Sequence, residues 1–145
     1  MTHRAETILE AVQTSLTGLN TTAARVQRAR IWPVEQCPAL SIEKGEELPM
    51  QNGRSLAHLD RQLEIVVTAY VKANLSNPET ALNQIAAEVY TALFTDVTQG
   101  LNFVIDTIWQ GDARPDFSSE TDSRSAIMRM TYVVQYRHSI NSPES

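Results

Sequence analysis

The chain has 145 residues and a formal net charge of −5; 42% of its residues are hydrophobic and 20% are charged. This length and this ordinary composition predict one globular domain that is large enough to bury a core without disulfides or a structural metal. The acidic balance argues against a protein that grips nucleic acid, and the single cysteine, Cys37, excludes an intrachain disulfide and a cysteine-rich zinc site.

The N-terminal segment is amphipathic and lacks a continuous apolar core, so we do not interpret it as a signal peptide. The longest apolar runs, such as Ile65-Val66-Val67, are far shorter than the roughly 20 residues that a membrane span needs. We therefore expect a protein that is made and folded in the cytoplasm and has no membrane partner.

The first elements are a helix and two strands. Apolar residues recur at helical spacing over residues 5–16, with Thr2 as the predicted N-cap and Gly18 as the stop. Alternating residues 25–31 predict a first strand, and residues 39–43 predict a second.

The middle of the chain holds the clearest strand. Residues 45–53 are polar and have no periodicity, which indicates either a loop or an extended hairpin arm. Residues 58–71 then alternate between apolar and polar side chains, with Arg61 as the exception on the apolar side. So long an alternation predicts a third strand with one face exposed along its first half.

The second half of the chain begins with a second helix. Asn77 is the predicted N-cap and Pro78 the first helical residue, and Gly100 follows the predicted end of the helix. Its wide apolar stripe consists of Ala81, Leu82, Ile85, Ala86, Val89, Tyr90, Leu93 and Phe94. Residues 103–109 predict a fourth strand.

A second polar loop, residues 111–123, separates the fourth strand from a long last strand over residues 126–137. The predicted order is therefore α-β-β-β-α-β-β. It indicates an α+β fold with a mostly antiparallel sheet of about five strands and two helices packed on one face. We predict a single domain over residues 1–138 and a flexible tail over residues 139–145.

Apolar residues exceed what two helices can cover. The helix-covered face is predicted to carry Leu63, Ile65, Val67, Met128, Met130, Tyr132 and Val134. The opposite face still carries Val66, Tyr70, Ile127, Val133 and one parity of residues 103–109. Scattered exposed apolar residues are normal, whereas a contiguous patch marks an association surface.

The sequence offers little catalytic chemistry. Cys37 has no basic neighbour in sequence, and His3, His58 and His138 lack the spacing of a metal site. The acidic residues Asp112, Asp116, Glu120 and Asp122 lack the order that wraps a calcium ion, so a solvated loop explains them better. No phosphate-binding or nucleophile-elbow motif is present. We therefore predict neither an enzyme nor a cofactor.

Several segments together resemble the tail-terminator family of long-tailed bacteriophages, the minor tail protein U-like or tail-completion proteins. The similarity runs almost end to end, and its segments are residues 8–12, 24–30, 37–42, 63–71, 86–90 and 130–136. The resemblance implies an α+β subunit of a hexameric ring in the virion, at the head-proximal end of the tail. Such a ring caps the tail tube, stops tube polymerisation and presents a surface to the head connector, while genome DNA passes through the lumen without specific binding. No catalytic residue is carried over.

Two alternatives stay open. A neck or head-completion subunit of similar size would bind the connector alone. A small monomeric α+β ligand-binding domain would show a cleft lined with convergent ionisable groups.

Charged residues supply the predicted subunit and tube interface. Arg25, Arg28 and Arg30 form a basic cluster that is short for a nucleic-acid patch. We predict that these arginines pair with Glu46 and Glu47 across a subunit boundary. The remaining predicted interface residues, on the polar loops, are Arg54, Asp112, Arg114, Asp116 and Asp122.

Overall fold

The computed structural model describes residues 2–28, 37–72, 77–116 and 125–145, without the side chains of Asn52 and Ser125. The elements are α1 (Arg4–Leu16), β1 (Val26–Arg28), β2 (Ala39–Arg54), β3 (His58–Lys72), α2 (Pro78–Phe94), β4 (Val104–Asp112) and β5 (Ser125–Ser139). The five strands form one sheet in the order β1-β2-β3-β5-β4. β1 lies parallel to β2 and the other pairs are antiparallel. The predicted α+β fold with a mostly antiparallel sheet is confirmed.

The two helices begin at side-chain caps. His3, and not the predicted Thr2, caps α1, because the His3 Nδ1 accepts a hydrogen bond from the Ala5 amide at 3.0 Å. Asn77 caps α2 as predicted, and its side-chain oxygen accepts from the Thr80 amide at 3.3 Å. Both contacts satisfy amide groups that the first helical turn leaves without a partner.

Both helices pack on the same face of the sheet, as predicted. The buried core joins them to that face, and it includes Ile8, Leu9, Val12, Leu16, Leu63, Ile65, Val67, Leu82, Ile85, Val89, Leu93, Met128, Met130, Tyr132 and Val134. Each large apolar side chain in this layer contributes about 1.5–3 kcal/mol by leaving water. Truncating one of them, such as Ile85 to alanine, therefore costs roughly 2–5 kcal/mol.

β2 is far longer than the predicted strand over residues 39–43. It continues through the polar residues 45–53 as one arm of a hairpin with β3, so the arm alternative is confirmed. The pairing shifts register between Lys44 and Glu47 and again between Pro49 and Arg54. These bulges explain why the segment lacks a regular alternation in sequence. β1 covers β2 only along residues 40–42, so within the described residues the rest of this edge of the sheet has no strand beside it.

The chain after β5 folds back onto the domain. The Ile140 amide donates to the Ala57 carbonyl at 2.8 Å, and the Arg4 amide donates to the Pro143 carbonyl at 3.0 Å. The segment that was predicted to be a flexible tail thus lies between the β2–β3 turn and the start of α1.

Candidate assembly surfaces

The face of the sheet opposite the helices, here called the uncovered face, is of mixed polarity. Directly opposed residues of an antiparallel pair point to the same side of the sheet. The pairs that β3 and β5 place on this face are Asp60–Arg137, Gln62–Gln135, Glu64–Val133, Val66–Thr131, Thr68–Arg129 and Tyr70–Ile127. Antiparallel sheets commonly leave such a face to solvent.

Apolar side chains on the uncovered face are fewer at the surface than the sequence suggests. Tyr70 and Val133 lie on this face as predicted, but they are only 2% and 8% exposed. Val66, Ile127 and Ile108, which is opposite Val133, remain half-buried. The uncovered face therefore offers a half-exposed apolar centre and not a broad apolar patch.

A more exposed apolar surface lies where α2 meets the edge strand β4, and we call Tyr90, Phe94 and Trp109 the aromatic rim. Tyr90 and Phe94 stack with their ring centroids 4.5 Å apart, and Trp109 meets Tyr90 edge-on at 6.1 Å. Tyr90 is 45% exposed and Trp109 is 47% exposed. The Trp109 Nε1 donates to Asp112 Oδ1 at 3.0 Å, which fixes the orientation of the indole. Tyr90 thus lies outside the core, because the apolar stripe of α2 is wider than the surface that it covers.

The turn between β2 and β3, residues 54–57, forms the hairpin tip. Leu56 is fully exposed there, and Arg54 is exposed beside it. The Ser55 hydroxyl accepts from the Ala57 and His58 amides at 3.3 and 3.0 Å, which orders the turn. An ordered turn thus presents an aliphatic side chain to solvent.

Arg25 and Arg28 of the predicted basic cluster form hydrogen bonds with groups of the same chain. Arg28 makes a two-pronged contact with the Glu6 carboxylate of α1 at 2.9 and 3.2 Å. Arg25 donates to the carbonyls of Pro38 and Thr21 at 2.6 and 3.1 Å. Arg30 lies outside the described residues. The observed partner of Arg28 is therefore Glu6, and the predicted pairing of the cluster with Glu46 and Glu47 of another copy stays a prediction.

Glu47 is the centre of a polar cluster that sequence reasoning missed. Its carboxylate accepts from the Tyr136 hydroxyl and pairs with Lys44 at 2.9 Å and with Arg61 at 3.3 Å. Burial disfavours the charged form, but the hydrogen bonds from Tyr136 and Lys44 outweigh it and hold the pKa of Glu47 below its usual value. Burial, together with the hydrogen bond to Glu47, raises the pKa of Tyr136. The irregular position of Arg61 in the alternation of β3 was the available signal.

The cluster continues to His138. Arg61 Nε donates to His138 Nε2 at 2.8 Å, so the other ring nitrogen, Nδ1, carries the proton and donates to the Ser139 carbonyl at 2.6 Å. Neither of the two clefts described below is lined by Glu47, Arg61, Tyr136 or His138. The cluster thus has the features of a structural network.

The other predicted interface residues lie at the surface. Glu46, Arg54, Asp112 and Arg114 are exposed, and Asp112 accepts the hydrogen bond from Trp109. Asp116 is exposed and exchanges backbone hydrogen bonds with Ile127 at 2.8 and 3.0 Å. Asp122 lies outside the described residues.

A cleft of about 530 Å³ at one end of the sheet brings several ionisable groups together. Asp60 accepts two hydrogen bonds from Arg137, at 2.7 and 3.1 Å. This contact raises the pKa of the Arg137 guanidinium. Arg4 lies over the Phe103 ring at 4.5 Å and donates to the Arg137 carbonyl at 2.8 Å. His58 also lines this cleft.

A second cleft, of about 380 Å³, separates the turn after α1 from α2. At its wall the Glu88 carboxylate accepts from the Thr21 amide and hydroxyl at 3.0 and 2.6 Å. Across the described ranges, no three His, Cys, Asp or Glu side chains are grouped to hold a metal ion. The same ranges contain no helix with the length and hydropathy of a membrane span.

Comparison with known proteins gave structural likenesses but no match by sequence. No protein-family model and no curated protein matches the chain. Among the solved structures, a chain from a structure titled "Virion of native gene transfer agent (GTA) particle" aligns with a TM-score of 0.49 and 8% identity. The alignment covers 93% of this chain and 88% of that chain.

Proposed function

We propose that this chain is a structural subunit of a phage virion, a tail terminator. In this proposal six copies form a ring that caps the finished tail tube, stops tube polymerisation and presents a surface to the head connector. The resemblance of its sequence segments to the tail-terminator family suggests this role. The structural observation that supports it is the one-sided helix layer, since both helices pack on one face and the other face keeps a half-exposed centre that a neighbour can cover.

A closed ring needs two different contact surfaces on each subunit, because each copy meets one neighbour with one surface and the next neighbour with the other. The fold provides two separate flanks for this purpose. β4 is the last strand on one side of the sheet, and β2 beyond Ile42 has no described strand beside it on the other. Both flanks carry exposed apolar side chains, Trp109 on the first and Leu48 on the second.

The charge of the chain suits a conduit for DNA. The net charge is −5. On the uncovered face the four carboxylates of Glu43, Asp60, Glu64 and Asp106 outnumber the two guanidinium groups of Arg129 and Arg137. A lumen with a negative wall repels the phosphate backbone, so DNA passes without sticking. In this role the protein needs no cofactor and no catalytic group.

Tail-tube assembly tests the proposal. The tail-tube protein of the same phage is polymerised in the presence of increasing amounts of this chain. Electron microscopy then measures the tube lengths and shows whether a ring is present at a tube end. We expect shorter tubes that carry a ring at one end. Tubes of unchanged length without rings would contradict the proposal, and binding to purified connector but not to tubes would favour a neck subunit.

A ligand-binding role is the second candidate, and the cleft with Arg4, Asp60 and Arg137 favours it. Its charged groups already contact one another, so the guanidinium of Arg137 is partly satisfied before any ligand enters. A thermal-shift screen with small carboxylates and phosphates tests this role. A chain that stays monomeric, gains thermal stability with one of these ligands and does not bind tail tubes would establish the ligand-binding role and exclude the terminator role.

A further inference from the structure

We infer that the hairpin tip of one copy, residues 54–57, docks on the aromatic rim of the next copy. This inference rests on the proposed assembly into a ring and names the contact that closes it. The occupant of the rim is a second copy of this chain, and the contact is head-to-tail.

The hairpin tip has the features of a docking element. Leu56 is the most exposed large apolar residue in the described chain, and it stands in a turn that the Ser55 hydroxyl orders. A turn that is already ordered loses little conformational freedom when it binds. Nothing in the described fold covers Leu56, although its side chain is of a type that is usually buried.

The aromatic rim has the features of a receiving surface. Its rings are held before any partner arrives, because Phe94 stacks on Tyr90 and Asp112 fixes Trp109. Exposed tyrosine and tryptophan are enriched at protein interfaces, where they bury a large area at small entropic cost. An aliphatic side chain such as Leu56 fits against two aromatic faces of this kind.

Charge complementarity selects the tip as the occupant. Arg54 stands two residues before Leu56, and Asp112 stands against Trp109 in the rim. Asp112 uses Oδ1 for the indole, and within the described residues its Oδ2 can accept from an arginine. When Leu56 lies on the rim, Arg54 reaches the same carboxylate.

The two surfaces are too far apart to meet within one subunit. Trp109 of β4 and Ile65 of β3 are both paired with Tyr132 of β5, so they lie at the same height in the sheet. The hairpin tip lies before His58, the first residue of β3. At about 3.3 Å per residue and about 4.8 Å per strand, this separates them by roughly 20 Å along the strands and roughly 15 Å across them. The contact therefore joins two copies. Because its two sides differ it propagates head-to-tail, and it forms the proposed ring when the rotation between neighbours closes.

A charge swap tests the contact in the assay with tail tubes. Arg54→Glu and Asp112→Arg, each alone, are expected to raise the protein concentration needed for capping by at least tenfold. The double variant regains part of the lost capping, because it recreates the pair with reversed sign although Trp109 no longer has the Asp112 acceptor. Leu56→Ser is expected to weaken capping as strongly. Glu79→Lys, at an exposed position of α2 outside both surfaces, is the matched control and keeps the wild-type concentration.

Disulfide trapping identifies the partner surfaces directly. A Leu56→Cys chain mixed with a Tyr90→Cys chain is expected to give a covalent dimer under oxidation with tubes present, and neither chain alone gives it beyond the background of Cys37. Thermal unfolding confirms that each variant is folded. Suppose that the wild-type chain forms rings and that the Leu56→Ser and Arg54→Glu variants cap tubes as well as the wild type does. This result would overturn the docking contact and leave the terminator proposal intact. A wild-type chain that never caps tubes would overturn both.

Discussion

The Tyr136 hydroxyl donates a hydrogen bond to the Glu47 carboxylate across the intervening strand β3. Arg61 of β3 pairs with the same carboxylate, so three strands meet at one partly buried group. This contact fixes the polar first part of the hairpin arm to the sheet. It explains how a segment without apolar alternation continues as a strand.

Removing the Tyr136 hydroxyl tests the contribution of this contact. Tyr136→Phe is expected to lower the free energy of unfolding by roughly 1–3 kcal/mol, because the partly buried Glu47 carboxylate loses a donor. Urea unfolding measures the change. Tyr132→Phe is the matched control, since the Tyr132 ring is buried and its hydroxyl has no hydrogen-bond partner among the described residues. Equal losses in the two variants would contradict the account.

The contact between Arg28 and Glu6 joins β1 to α1, and a double-mutant cycle with alanine at both positions measures it. We expect a coupling of about 0.2–1 kcal/mol, because the side chains are 29% and 45% exposed and solvent screens the pair. Chemical denaturation of the monomer gives the four free energies. If the coupling is zero while Arg28→Glu blocks capping of tubes, the arginine acts across a subunit boundary instead.

Acid is expected to destabilise the fold through Glu6 and Glu47. The hydrogen bond from Arg28 lowers the pKa of Glu6, and the Tyr136 and Lys44 contacts, which outweigh burial, lower that of Glu47. A carboxyl with a lowered folded pKa stabilises the fold above its unfolded pKa, about 4.3, and this contribution disappears as pH falls through the folded pKa.

The measurement is the free energy of unfolding between pH 7 and pH 3. The wild type should lose stability below about pH 4.3, and Glu47→Gln should show a shallower loss because its side chain no longer titrates. Parallel curves for the two proteins would show that Glu47 does not carry this dependence.

The segment after α2 is held by buried hydrogen bonds. Gln99 Nε2 donates to the Leu93 carbonyl at 2.9 Å and to the Thr107 hydroxyl at 3.1 Å, and that hydroxyl donates to the Val97 carbonyl at 2.6 Å. Thr107→Val should therefore cost roughly 1–3 kcal/mol, measured by urea unfolding. Thr131→Val, on the half-buried part of the uncovered face, is the control with a small effect. If Thr107→Val leaves the free energy of unfolding unchanged, these hydrogen bonds do not stabilise the segment after α2.

Local signals predicted much of the fold. Asn77 and Pro78 mark the start of α2, and the alternation of residues 58–71 marks β3, because capping and period depend on neighbours in sequence. The α+β class and the one-sided helix layer follow from the number of elements and their patterns. The cap at His3 was missed because Thr2, a more usual cap, stands beside it.

Contacts between residues far apart in sequence could not be predicted from local sequence patterns. Residues 45–53 become a strand through pairing with β3 and through the Tyr136–Glu47 contact, neither of which leaves a local signal. Arg28 finds Glu6 at a distance of 22 residues, so its neighbours gave no indication of the pair. Tyr90 was placed in the apolar stripe of α2, and only its position over the edge strand shows that it is exposed.

The central claim is that identical copies of this chain close a ring on the tail tube. Its most direct measurement is electron microscopy of capped tubes, with class averages viewed down the tube axis, together with the mass of the released cap by light scattering. The account predicts a closed ring whose mass is six times that of the chain. A chain that stays monomeric at every concentration, with and without tubes, would contradict it.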